Sequence, residues 1–202
     1  IIVCSTALNA FPPTESENYC FGFGSAKKTC LYASVPPNLT KGFLPIGTAV
    51  VSSNTGSEKV LIMCDNGSSN TWITTGLANK LNLSSPMSFQ VGLNGINVAS
   101  TVQTGLVEAT ISCIENNYPF STKILTLVKD DLNLGDDFIN MPELQEKYPQ
   151  LAPLQPEAYK YSDVQVILGQ NYFYAFKQIE SFESPDVMEP CAVRGAVGWL
   201  LS

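Results

Sequence analysis

An apolar strand, Val60-Leu61-Ile62-Met63-Cys64, runs into a carboxylate, Asp65, then through Asn66-Gly67-Ser68-Ser69-Asn70 into a second apolar segment, Thr71-Trp72-Ile73. A carboxylate at the mouth of a buried strand is costly unless it is paired or hydrogen-bonded, so the rest of the fold has to be arranged around Asp65. Gly67 permits a turn closed to bulkier residues, and Ser68 and Ser69 bring hydroxyls within reach of the carboxylate. Asp-Asn-Gly is also a strong type I′ hairpin turn. The flanks distinguish the two readings: a hairpin turn needs only short strands, whereas Leu-Ile-Met-Cys before and Thr-Trp-Ile after it set the loop inside a core.

The chain of 202 residues contains no histidine. That excludes Ser-His-Asp and Cys-His hydrolases, His-Glu-x-x-His metallopeptidases and any zinc site built on histidine. Carboxylates or a Ser/Lys pair remain for hydrolysis. With 14% charged residues and a net charge of −7, nothing favours a surface that tracks phosphates, so nucleic acid is not expected as a partner. No apolar run approaches the roughly 20 residues that cross a bilayer, and Ile1-Ile2-Val3-Cys4 lacks the basic flank of a signal peptide; the expectation is a soluble chain without a membrane partner. The six cysteines (Cys4, Cys20, Cys30, Cys64, Cys113, Cys191) show no Cys-x-x-Cys, so buried thiols are expected and no metal or cofactor. Their even number, with Asn-x-Ser/Thr at Asn38, Asn66 and Asn82, leaves open a secreted, glycosylated, disulfide-bonded β domain.

Residues 1–42 carry Pro12-Pro13, Pro36-Pro37 and a Gly22-Phe23-Gly24-Ser25-Ala26-Lys27 stretch that lacks the spacing of a phosphate loop, and they read as an irregular arm. From Gly47 the pattern is β: Thr48-Ala49-Val50-Val51, a turn at Asn54-Thr55-Gly56-Ser57, then Lys59 onward to deliver Asp65. Thr74 or Thr75 can cap a short helix through Leu77 and Leu81. Ser88-Phe89-Gln90-Val91-Gly92-Leu93-Asn94-Gly95-Ile96-Asn97-Val98 alternates around two glycines and reads as a mobile hairpin. Residues 105–115 and 120–128 form the next antiparallel pair. The acidic, proline-rich stretch 130–161 breaks the pattern as an insertion, with one helix from Pro142 through Glu143-Leu144-Gln145-Glu146-Lys147. Val164-Gln165-Val166-Ile167-Leu168-Gly169-Gln170-Asn171-Tyr172 is a buried strand ending in glycine, followed by a short helix near Tyr172. An apolar strand over 196–202 closes the chain.

In this order, residues 43–202 resemble the retropepsin-like peptidase of BEL/Pao-type LTR retrotransposons. The resemblance is carried by the Thr-Ala-Val-Val strand, Asp65-Asn66-Gly67-Ser68, the glycine-bearing hairpin, Tyr148-Pro149-x-Leu151, Ile167-Leu168-Gly169 with Asn171, and the closing Gly198-Trp199-Leu200-Leu201-Ser202. It implies an all-β, single-lobe retropepsin-like acid-protease barrel with a helical or irregular insertion at about 130–161. It further implies an aspartic endopeptidase that acts as a homodimer on a polypeptide. Asp65 would be catalytic in a loop completed by Asn66, Gly67, Ser68 and Ser69. Gln90, Val91, Gly92, Leu93, Asn94, Gly95 and Ile96 would form a flap over the substrate, and Ile167, Leu168, Gly169 and Asn171 would support the loop. The implied substrate is a Gag-Pol polyprotein, in the cytoplasm or within virus-like particles. Where the family usually carries Thr or Ser after the aspartate, this chain has Asn66, and the alternative is a catalytically weak or inactive dimerisation or binding module on the same fold.

Overall fold

The computed structural model describes residues 42–95, 98–115, 120–186 and 188–202. The arm 1–41, with Cys4, Cys20, Cys30 and Asn38, lies outside them, as does Ile96 at the tip of the expected flap. Among the described residues no helix is long and apolar enough to cross a membrane.

The fold is all-β. A first hairpin joins β1 (Ile46–Ser52) to β2 (Ser57–Cys64), with Ile46 opposite Met63 and Ser52 opposite Ser57. Past the Asp65 loop come the short β3 (Trp72–Thr74) and helix α1 (Thr75–Lys80), which Thr74 caps by accepting the Leu77 amide hydrogen. A second hairpin pairs β4 (Ser88–Gly95) with the start of the long β5 (Val98–Cys113), which continues antiparallel to β6 (Ser121–Lys129). The insertion contains a small ribbon, β7 (Phe138–Ile139) with β8 (Tyr159–Lys160), and helix α2 (Met141–Lys147), where the Pro142 signal placed it. The chain then returns as β9 (Val164–Leu168) and ends in β10 (Glu180–Phe182), β11 (Ala192–Gly195) and β12 (Gly198–Leu201).

Strand order runs β10-β11-β12-β1-β2-β9-β3-β6-β5-β4, and an added β1–β5 pairing closes the run from β1 to β5 into a barrel. Closure removes the edges of that run and leaves β10, β11, β12 and β4 outside the ring. Strand β9 enters between β2 and β3, parallel to the first and antiparallel to the second.

Alternation along these inner strands serves two cores. Val60, Ile62, Cys64, Ile73, Val166 and Leu168 point into the barrel, with Ala49, Val107, Ile111 and Ile124. Their neighbours Met63, Trp72 and Ile167 point outward and meet Leu132, Ile139, Met141, Leu151, Leu154, Tyr159 and Tyr161 from the insertion. The insertion is therefore a second layer: it buries the outer face of the strands that flank Asp65, each large side chain contributing about 1.5–3 kcal/mol. That explains why these strands read as continuous apolar runs rather than as alternating ones.

The short helix expected near Tyr172 is a 3₁₀ segment over Gln170–Phe176, interrupted at Tyr172 (φ −122, ψ 49). There the Tyr172 hydroxyl accepts the Leu125 amide hydrogen of β6. In the β4–β5 hairpin, Phe89, Val91 and Leu93 pack half-buried against the second core, while Gln90 and Gly92 face solvent. Among the described residues a methyl group at Gly92 would meet nothing within 4 Å, so none of them requires glycine there.

Candidate active site

Strand β2 ends with its last amides bonded to the strands on either side: Cys64 N–H donates to the Pro45 carbonyl, just before β1, at 3.0 Å and Asp65 N–H to the Leu168 carbonyl of β9 at 2.9 Å. The second bond fixes Asp65 against β9, the strand lying between the two arms of its own loop. Asp65 is 6% exposed, whereas Asn66, Gly67 and Ser69 face solvent. One carboxylate oxygen, Oδ1, accepts the Gly67 amide hydrogen at 2.9 Å, and the Asp65 carbonyl accepts that of Ser68 at 3.2 Å. The other oxygen, Oδ2, is buried and has no hydrogen-bond partner among the described residues. Burial holds the Asp65 carboxyl above its ordinary pKa, and the Gly67 and Ser68 amides pull the other way without cancelling it.

The serine hydroxyls do not reach the carboxylate as expected. Ser68 Oγ donates to the Asn70 carbonyl at 2.7 Å, and Ser69 Oγ accepts from the Asn70 side-chain amide at 3.4 Å, so both close the loop on itself. Gly67 adopts no positive φ either; among described glycines only Gly135 and Gly198 do. What Gly67 contributes is the amide held against Oδ1.

The far side of the loop rests on the end of β9. Gly169 touches it so closely that a Cβ there would lie 2.3 Å from the Asn70 carbonyl oxygen and 2.7 Å from that of Ser68. Gln170 N–H donates to the Ser68 carbonyl at 2.8 Å. The fully buried Thr71 joins the two segments: its hydroxyl accepts the Gly169 amide hydrogen at 3.1 Å and donates to Asn171 Oδ1 at 2.8 Å. Gln170 Nε2 donates to the Asn66 carbonyl at 2.5 Å, tying down the residue that follows the carboxylate. Ile167 completes the floor by pairing with Met63 on one side and Trp72 on the other.

The structure thus brings Asp65, Asn66, Gly67, Ser68 and Ser69 together with Ile167, Leu168, Gly169 and Asn171. No hydrogen bond joins the described residues 88–95 to residues 65–70. Thr71 and Gln170 were not singled out from sequence as site residues. A small hydroxyl residue opening the strand directly after the loop was the available signal for Thr71; nothing local marks Gln170.

Cys64, beside the carboxylate, is a free thiol pushed up to about 12, first by burial and then by the charge of Asp65, so it stays protonated and is no nucleophile. Cys113 and Cys191 are also free. Among the described residues no three cysteine, aspartate or glutamate side chains converge into a metal-binding group. What the site offers chemically is one rigidly held carboxyl, its pKa raised by burial, with one oxygen unpaired among the described residues.

No protein-family model matches the chain, and no curated protein matches it. A solved structure of EIAV protease complexed with the inhibitor HBY-793 is similar at 23% identity and a TM-score of 0.30, over 48% of this chain and 81% of that one.

Proposed function

We propose that the chain is a retropepsin-like aspartic endopeptidase that acts as a homodimer, of the kind found in BEL/Pao-type retrotransposons. One observation carries the reading: Asp65 is buried on a locked loop with Oδ1 held by the Gly67 amide and Oδ2 without a partner among the described residues. A single carboxylate cannot be both acid and base for amide hydrolysis, so a second Asp65 is needed. Across a two-fold axis the two carboxyls would share one proton, because like charges that close do not both ionise, and their two apparent pKa values would belong to the pair.

The ionised member would take a proton from a water held between them as its oxygen attacks the scissile carbonyl. The protonated member would donate to the carbonyl oxygen. Gln90, Val91, Gly92, Leu93, Asn94, Gly95 and Ile96 would close as a flap over an extended peptide and exclude water. The resemblance supplies the natural substrate, the element's own Gag-Pol polyprotein, cleaved in the cytoplasm or in virus-like particles.

Asn66 favours a second reading, a dimerisation or binding module without turnover, since an amide stands where the family has the hydroxyl that links the two loops. Digestion of a denatured polyprotein fragment from pH 4 to 7 tests the first reading. Wild type cleaves and Asp65→Asn does not, because the amide keeps the shape but supplies no base. Equal cleavage by both proteins would overturn the aspartic mechanism, and a dimer inactive across the range would establish the second reading.

A further inference from the structure

The peptide unit between Asn66 and Gly67 is held at both of its polar ends. Its N–H donates to Asp65 Oδ1 at 2.9 Å, and its carbonyl accepts from Gln170 Nε2 at 2.5 Å. The Asn66 side chain, by contrast, faces solvent and has no hydrogen-bond partner among the described residues. Gly67 is exposed too, and has no side chain to shield its nitrogen. An electrophilic carbon, Asn66 Cγ, and a nucleophile, the Gly67 nitrogen, are thus separated only by the bonds of Asn66 itself, whose side chain no hydrogen bond restrains.

A backbone amide nitrogen attacks only once its proton is lost. This proton already points at a carboxylate oxygen within the reach a general base needs, about 2.6–3.2 Å. As it leaves, negative charge spreads to the Asn66 carbonyl oxygen, where the Gln170 donor stabilises it, as a donor aimed at a developing oxyanion does. Burial raises the pKa of the Asp65 carboxyl, which makes its ionised form the stronger base.

We propose that the Asp65 loop is a self-modification site: Asp65 Oδ1 takes the Gly67 amide proton, the Gly67 nitrogen attacks Asn66 Cγ, and the asparagine is converted through a succinimide. The bond that forms joins Gly67 N to Asn66 Cγ. The bond that breaks joins Cγ to the side-chain nitrogen, which leaves as ammonia with the proton that Asp65 took. Water then opens the ring, so the sum is asparagine and water giving a carboxylate and ammonium. Opening at Cγ leaves aspartate at position 66, a second carboxylate beside Asp65. Opening at the main-chain carbonyl leaves isoaspartate, whose extra main-chain carbon shifts the Gly67 amide away from Oδ1. The step needs a single chain and water, so it does not rest on the peptidase reading.

The chain has a second Asn-Gly pair, Asn94-Gly95, and residues 88–104 contain no Asp or Glu, so it reports the motif without a carboxylate. The test incubates the full chain in native buffer and in urea at one pH and temperature. Peptide mass spectrometry in isotope-labelled water follows conversion of both asparagines. In urea the two should convert at similar rates, and in native buffer Asn66 should exceed its own urea rate by at least about tenfold. Asp65→Asn keeps the shape but offers no base, and should abolish that gain while leaving the urea rate unchanged. Gln170→Ala should cut the gain by about threefold. Native conversion of Asn66 no faster than in urea would overturn the proposal, a readout that stands even where a variant does not fold. A gain that survives in Asp65→Asn would overturn it as well, as would an Asn66 already ahead of Asn94 in urea. None of these readouts depends on peptide cleavage.

Discussion

Gly169→Ala isolates the contact that holds the candidate catalytic loop in place. The added Cβ would sit 2.3 Å from the Asn70 carbonyl oxygen, 2.5 Å from its carbon and 2.7 Å from the Ser68 carbonyl oxygen. All three are backbone atoms, so no side-chain rotation relieves the clash, and the loop must retreat by about 1 Å to restore van der Waals contact. That retreat strains the Gln170 to Ser68 bond of 2.8 Å and the Gly169 to Thr71 bond of 3.1 Å. Overpacking costs about 1–3 kcal/mol and each of the two weakened bonds about 1 kcal/mol, so about 3–5 kcal/mol in all is expected. For a domain of this size that lowers the melting temperature by about 6–20 °C. A reacting group misplaced by about 1 Å costs about 100-fold in kcat/KM even in the molecules that remain folded. Thermal unfolding by circular dichroism, paired with peptide cleavage well below the variant's Tm, separates the two effects. A variant that melts within about 1 °C of wild type would show that the loop does not rest on Gly169 as described.

Thr71→Val removes the hydroxyl that serves Gly169 and Asn171 and leaves a buried amide hydrogen unpaired; the urea midpoint should fall by the equivalent of about 1–3 kcal/mol, and an unchanged midpoint would refute the link. Asp65→Asn should stabilise the fold at neutral pH. Because burial raises the folded-state pKa of Asp65 above its unfolded value, the group costs nothing at acidic pH and destabilises progressively as pH rises through that pKa, so the variant's advantage in Tm should grow from acidic to neutral pH. An advantage that shrinks as pH rises would contradict the sign. Cys64, with its thiol pushed up to about 12, should resist iodoacetamide in the native protein at about pH 8 and react fully once unfolded, as read by mass spectrometry of its peptide.

The hairpins were legible because their signals are local. Apolar runs broken by Asn54-Thr55-Gly56-Ser57 marked β1 and β2, the Thr74 cap marked α1, and Pro142 marked α2. Gly169 was legible for a different reason: the resemblance carried by Ile167-Leu168-Gly169 set this strand end beside the Asp65 loop, and the Ser68–Asn70 backbone meets it there. The insertion's role was hidden, since a second core is a property of which faces meet, and Leu132, Leu151 and Tyr159 show no period that points to Met63 and Trp72. The β7–β8 ribbon is two residues long on each side, too short to leave a pattern. The serine hydroxyls were misjudged because several acceptors compete for each one, and Ser68 Oγ takes the Asn70 carbonyl two residues along the chain.

The central claim is that two Asp65 carboxyls act together, one from each of two chains. Mixing wild type with increasing Asp65→Asn protein at constant total concentration, after unfolding and refolding together so that subunits exchange, tests it most directly. If each active unit needs two intact carboxyls, cleavage falls as the square of the wild-type fraction. A fall in simple proportion to that fraction would mean that each chain works alone, and the shared-proton account of Asp65 would be wrong.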